Sequence, residues 1–276
     1  MNNRMAKLKI VSRDAPFPGS ILVGPPGKGP GLVLLHGSEG GASGWNAVEA
    51  MFWAAHGFHA LALSSWANDL RQVELLKTFG AIEWLRKQDF VANGKVGLIG
   101  VSRGAEHGLL IGALSGKYPK LQRPDLVALH SPNDKIVPGY PEFHEVAWKF
   151  QGDVKKVKPG TRIRIEKYEG PIFITHGMDF EYQYWDWHQT ERIVRRLRKA
   201  GRKCDVYKWK RVAKLGAVKA KADNRCEIHY FKKEGHILGL KAAESRRKLL
   251  LDFLERYLAD QGRTGRNAEQ LPMDSP

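Results

Sequence analysis

The chain has 276 residues, 42% of them hydrophobic, which supports a sizeable core and excludes a disulfide-framed miniprotein or a disordered polymer. No apolar run approaches the ~20 residues that span a bilayer, so no membrane span is expected. The formal charge of +16 points to anionic partners, an anionic substrate among them. No zinc-ligand spacing, RNP-like aromatic strand or bZIP pattern accompanies it, so nucleic acid is not the expected partner.

The first 20 residues are polar and basic with no hydrophobic segment, which leads to the expectation of a cytoplasmic protein. The predicted elements then alternate. Residues 19–23 form a short strand, and 24–30 a Pro/Gly loop. Residues 31–35 are apolar on both faces, as a central parallel strand requires, and run into His36-Gly37-Ser38-Glu39-Gly40-Gly41. The spacing of Val48, Met51, Phe52 and Ala55 predicts a helix over 45–56, stopped by Gly57. A strand at 58–63 follows, then an amphipathic helix over about 71–87 through Val73, Leu76, Phe79, Ile82 and Leu85.

A strand beginning at Val96 enters Gly100-Val101-Ser102-Arg103-Gly104, and a small-residue helix runs on to about Leu114. The next strand is 125–130. Residues 133–170 lack a clean period and predict an insertion over one end of the sheet. A strand at 171–175 ends at His176-Gly177-Met178-Asp179, and a helix occupies 189–199. Residues 205–210 and 227–231 resemble strands around a basic loop, as an extra hairpin or as alternatives to one another. His236 follows, then a helix over 242–258 and a polar tail over 261–276. Cys204 and Cys226 are expected as free thiols, since two cysteines make no disulfide framework. The whole predicts one domain over 1–260, with a 133–170 insertion and a 211–225 basic loop. Its fold class is α/β: a mostly parallel sheet flanked by helices on both faces, with the insertion after the sixth strand.

Ligands gather at the carboxyl ends of such strands, and His36, Ser102, Asp134, Asp179 and His236 all fall there. G-x-S-x-G between a buried strand and a helix suits a nucleophile, because glycines on both sides permit the sharp turn that exposes a serine hydroxyl. Ser102 is the expected nucleophile and His236 the expected base, with His229 and His176 as competitors. Asp179 is the expected orienting acid, ahead of Asp134, Glu181 and Asp186. The backbone N–H groups of Arg103 and Ser38 are the expected oxyanion donors. His36, Glu39, Tyr182 and Trp185 are candidate pocket residues. Metal-ligand spacing and phosphate-binding glycine loops are lacking, so neither metal nor cofactor is implied.

These residues resemble the α/β-hydrolases, and among them the dienelactone-hydrolase-like group. The most similar family is the catalytic domain of acyl-CoA thioesterases and bile-acid-CoA:amino-acid N-acyltransferases. The likeness rests on Pro25-Pro26-Gly27-Lys28-Gly29-Pro30, Gly37-Ser38-Glu39-Gly40-Gly41, Gly100 to Glu106, Gly177 to Asp179 and Gly235-His236-Ile237. It implies Ser102, Asp179 and His236 as a triad, and small-molecule esters or thioesters as substrates. Serine rather than cysteine at the nucleophile position favours hydrolysis over acyl transfer. The alternatives are an acyltransferase using an acyl-CoA-like donor, or a catalytically idle fold acting as a binding module. Either a monomer or a homodimer is compatible with the sequence.

Overall fold

The computed structural model describes residues 9–67, 69–140, 145–179, 186–209 and 225–258. Eleven strands appear among them: β1 (Val11–Arg13), β2 (Ile21–Gly24), β3 (Gly29–Leu35), β4 (His59–Leu63), β5 (Val73–Glu74), β6 (Val91–Val101), β7 (Leu126–His130), β8 (Trp148–Lys149), β9 (Ile172–Gly177), β10 (Asp205–Trp209) and β11 (Cys226–Phe231). Five α-helices accompany them: α1 (Trp45–Ala55), α2 (Leu76–Arg86), α3 (Arg103–Lys117), α4 (His188–Lys199) and α5 (Leu240–Leu258). Nine strands make one sheet in the order β1-β2-β4-β3-β6-β7-β9-β11-β10, and all pairs from β4 onward are parallel. Parallel strands need crossovers, and the helices that supply them cover both faces. Trp53 of α1 and Phe253 of α5 anchor the core on one face. Phe79 of α2, Leu109 of α3 and Ile193 of α4 anchor it on the other. No helix among the described residues is long and apolar enough to cross a membrane.

Three expectations are corrected. The first concerns 71–87, where the helix begins only at Leu76. Val73 and Glu74 form β5 instead, paired with β8 of the insertion. Periodicity cannot see a two-residue strand whose partner lies 75 residues away. Secondly, α1 is rotated from its apolar stripe. It buries Asn46, Glu49, Ala50, Trp53 and Ala54, while Trp45, Val48 and Met51 stay 46, 55 and 47% exposed. Glu49 can turn inward because Arg247 (2.7 Å) and Arg246 (3.4 Å) of α5 neutralise it.

Thirdly, β10 and β11 are parallel neighbours, not a hairpin. Their register sets Asp205 opposite Glu227, which brings the preceding residues together. Cys204 and Cys226 are joined by a disulfide, with Cα atoms 4.6 Å apart, so the free-thiol expectation fails. The insertion follows β7, which is the sixth strand of the nine-stranded sheet in chain order. It packs Trp148 and Phe150 into the core beside α3. The basic loop expected at 211–225, apart from Arg225, and the tail at 261–276 lie outside the described residues.

Candidate active site

Ser102 sits between β6 and α3 with φ 56° and ψ −117°, a left-handed backbone that costs a non-glycine residue on the order of 1–3 kcal/mol. The glycines around it are required by contact. A Cβ on Gly100 would lie 2.2 Å from the Gly104 carbonyl oxygen. One on Gly104 would lie 2.3 Å from the Leu35 oxygen and 2.5 Å from that of His36. The elbow therefore packs directly on the loop that follows β3. The Ser102 N–H donates to the His130 carbonyl at 2.9 Å, and the side chain is 8% exposed.

His236 reaches Ser102 from the loop between β11 and α5. Its Nε2 lies 2.8 Å from Ser102 Oγ. A hydroxyl donating to Nε2 requires the neutral ring, with its proton on Nδ1. Burial favours the same state and pushes the imidazole down to about 4. His130, at the end of β7, fixes the loop. Its Nε2 donates to the His236 carbonyl at 3.0 Å, so its Nδ1 accepts from Thr175 Oγ1 at 2.8 Å. Burial holds His130 neutral as well. Sequence reasoning missed His130, although it stands at a strand end; nothing in one sequence distinguishes it from the other nine histidines.

The loop carrying Asp179 runs alongside. Met178 N–H donates to Phe231 O and Asp179 N–H to Glu234 O, both at 2.9 Å. Gly177 permits the approach, since a Cβ there would stand 2.0 Å from the Gly235 oxygen. Asp179 is thus brought beside the residues preceding His236. Its carboxylate is exposed and makes no hydrogen bond to the His236 ring. Asp134 is engaged elsewhere, buried against Arg192 (3.0 Å) and Arg196 (3.1 Å). Asp186 pairs with His188 at 2.6 Å. His176 bonds Thr190 at 2.8 Å, and His229 lies within β11 against Trp209 Nε1 at 3.1 Å. Neither histidine competes with His236 for Ser102. Glu181, Tyr182 and Trp185 lie outside the described residues.

On the oxyanion side, Arg103 is the first residue of α3, where a backbone N–H has no intrahelical acceptor. Ser38 is exposed, and its carbonyl accepts from Tyr140 Oη, which in turn accepts from Trp66 Nε1 at 2.8 Å. His36 is a strut of this loop. Its Nε2 accepts from Ser65 N–H at 3.2 Å and its Nδ1 donates to Gly37 O at 3.0 Å. Glu39 turns back to accept the Gly37 N–H at 2.9 Å.

The Arg103 side chain points away from the site, into a buried cluster around Glu106. The Glu106 carboxylate receives Arg103 Nη1 at 3.0 Å, Trp148 Nε1 at 2.7 Å, and Asn133 Nδ2 and Val137 N–H at 3.3 Å. Burial raises this carboxyl, and the guanidinium opposes the rise. Two hollows, of about 770 and 690 Å³, lie away from Ser102. The candidate site is located by the Ser102–His236 contact, not by these hollows.

No family model and no curated protein matches the sequence. Solved structures do match. An acylaminoacyl peptidase from Pyrococcus horikoshii superposes with TM-score 0.62 at 18% identity, over 95% of this chain and 44% of that one. A candidate dienelactone hydrolase from Klebsiella pneumoniae superposes with TM-score 0.61 at 12% identity, over 90 and 99%. A dienelactone-hydrolase-like promiscuous phosphotriesterase from metagenomic libraries gives 0.57 at 12% identity, over 90 and 98%. These likenesses establish a shared α/β-hydrolase fold. They do not carry the narrower resemblance to the thioesterase and acyltransferase family.

Proposed function

We propose that this α/β-hydrolase fold is a serine hydrolase of small-molecule carboxylic esters or thioesters. The observation that carries the reading is the 2.8 Å contact between His236 Nε2 and Ser102 Oγ on a strained, glycine-flanked elbow. Ser102 Oγ attacks the acyl carbonyl while His236 Nε2 takes its proton. The Arg103 and Ser38 N–H groups receive the tetrahedral oxyanion. His236 then protonates the departing alkoxide or thiolate, leaving an acyl-serine. Water, deprotonated by His236, attacks that acyl group and releases the acid, which restores the Ser102 hydroxyl. Asp179 is the orienting acid of this scheme. Its backbone bonds Glu234, two residues before His236, which supports that assignment.

The test combines labelling with turnover. A fluorophosphonate should label the wild-type protein and not Ser102→Ala. The same substitution should lower p-nitrophenyl acyl ester turnover by about 10⁴-fold or more. Adding amines should divert no acyl group from water. A wild-type protein that neither reacts with the phosphonate nor hydrolyses short, medium or CoA-linked acyl groups would overturn the reading.

A further inference from the structure

The first hollow has an apolar floor, with Leu110, Leu114, Ile136 and Val157 in it, ringed by cations. It encloses about 690 Å³ between α3, α4 and the insertion. Lys117, Lys156, Arg162, Arg164, Lys167 and Lys199 line it, all exposed and none with a carboxylate partner among the described residues. The single acid in its lining, Glu166, is already paired with Arg196 at 2.9 Å. The hollow also adjoins three others through shared lining residues. It shares Lys167 with a hollow of about 500 Å³, Glu166 with one of about 410 Å³, and Arg162 with one of about 770 Å³. Lys120, Lys203, Arg225 and Lys135 extend the positive lining into these.

Unpaired like charges held along one trough repel one another, and a fold bears that cost where a counter-charge is supplied from outside. A lone anion would neutralise one or two of these groups and leave the rest. A flat anionic membrane reaches only the rims of a chain of concavities, and a rigid duplex cannot bend its phosphates into successive hollows as a flexible strand can. An extended, narrow polyanion satisfies the whole row. Aromatic stacking is not on offer, because the one tyrosine lining the trough, Tyr168, is buried.

We infer that this trough binds a single strand of nucleic acid through its phosphates, with little dependence on base sequence. The trough is separate from the proposed active site. Lys117 closes the helix that Ser102 begins, about 22 Å along its axis at 1.5 Å per residue. The inference therefore stands apart from the hydrolase reading.

Fluorescence anisotropy with a labelled 20-nucleotide single strand, on the full chain, tests it. Single strands give a salt slope of about −0.7 per phosphate neutralised. About five contacts then predict a slope near −3.5, which weakens binding about 100-fold between 50 and 200 mM salt. The triple variant Lys117→Glu, Arg164→Glu, Lys167→Glu should bind more than about tenfold more weakly and flatten the slope by about 2. It should retain wild-type ester hydrolysis and circular dichroism. Ser102→Ala should bind like wild type. Several results overturn the inference: no binding at 50 mM salt, a slope shallower than −1, or preference for duplex. So does retention on anionic vesicles without strand binding. So does a triple variant that binds normally while serine substitutions at Lys210, Arg211, Lys214, Lys219 and Lys221 abolish binding.

Discussion

At the scale of single residues, the site depends on a neutral imidazole. Burial holds His236 near about 4, so at neutral pH nearly every molecule has Nε2 free to accept the Ser102 proton. Protonation removes that capacity, so the rate must fall as pH falls through the folded-state value. The expected kcat/KM profile rises along one acid limb centred near about 4 and stays level from about pH 6 to 8. A limb centred at the ordinary histidine value of 6.5 would show the ring to be solvated in the working enzyme. In the same series, Asp179→Asn should lower kcat by about 10²–10⁴-fold with KM little changed. An unaffected kcat would remove Asp179 from the mechanism. Ser102 and His236 were legible because G-x-S-x-G and a strand-end histidine each carry a steric or chemical requirement. His130 was not, since its part is to hold the carbonyl of a residue that follows four strands later in sequence order.

At the scale of elements, α3 does two things at once. Its first turn presents the Arg103 N–H, and its next residues bury a carboxylate that gathers the insertion. Glu106 contacts Asn133, Val137 and Trp148, so the helix that Ser102 begins is fastened to the segment over the sheet. Glu106→Gln leaves the Arg103 guanidinium buried without its counter-charge. Breaking such a pair costs about 3–5 kcal/mol, and a lowered urea midpoint with an unchanged m value should report it. An unchanged midpoint would mean that the charge is dispensable. Sequence periodicity located every helix to within a few residues but misread two details. α1 turned because the buried partner of Glu49 lies on α5, almost 200 residues on. Helix α2 lost its first turn to a strand whose mate lies in the insertion. Both are pairings between distant segments, which a local window cannot contain.

For the whole molecule, the parallel sheet was readable from alternation alone, whereas the order of its edge strands was not. Burial of histidine is a property of the entire fold. His59 and His107 are depressed to about 4 and about 3, and His130 well below its ordinary value, each chiefly by burial. The sign follows from proton counting. The unfolded chain takes protons from 6.5 downward while the folded chain refuses them until lower pH, so stability is complete above 6.5 and declines from there towards about 4 and 3. Each group contributes at most about 2 kcal/mol of loss by pH 5. Urea midpoints measured at pH 7.5 and 5 should therefore differ clearly, and equal midpoints would contradict the burial of these rings. The disulfide has a different consequence. Cys204 and Cys226 bracket the residues between them, and Ser102 lies on the amino-terminal side of the bridge while His236 lies on the other. A peptide bond cleaved anywhere from 205 to 225 leaves Ser102 and His236 in one covalent molecule, so the proposed catalytic pair stays joined after scission of the chain between the cysteines.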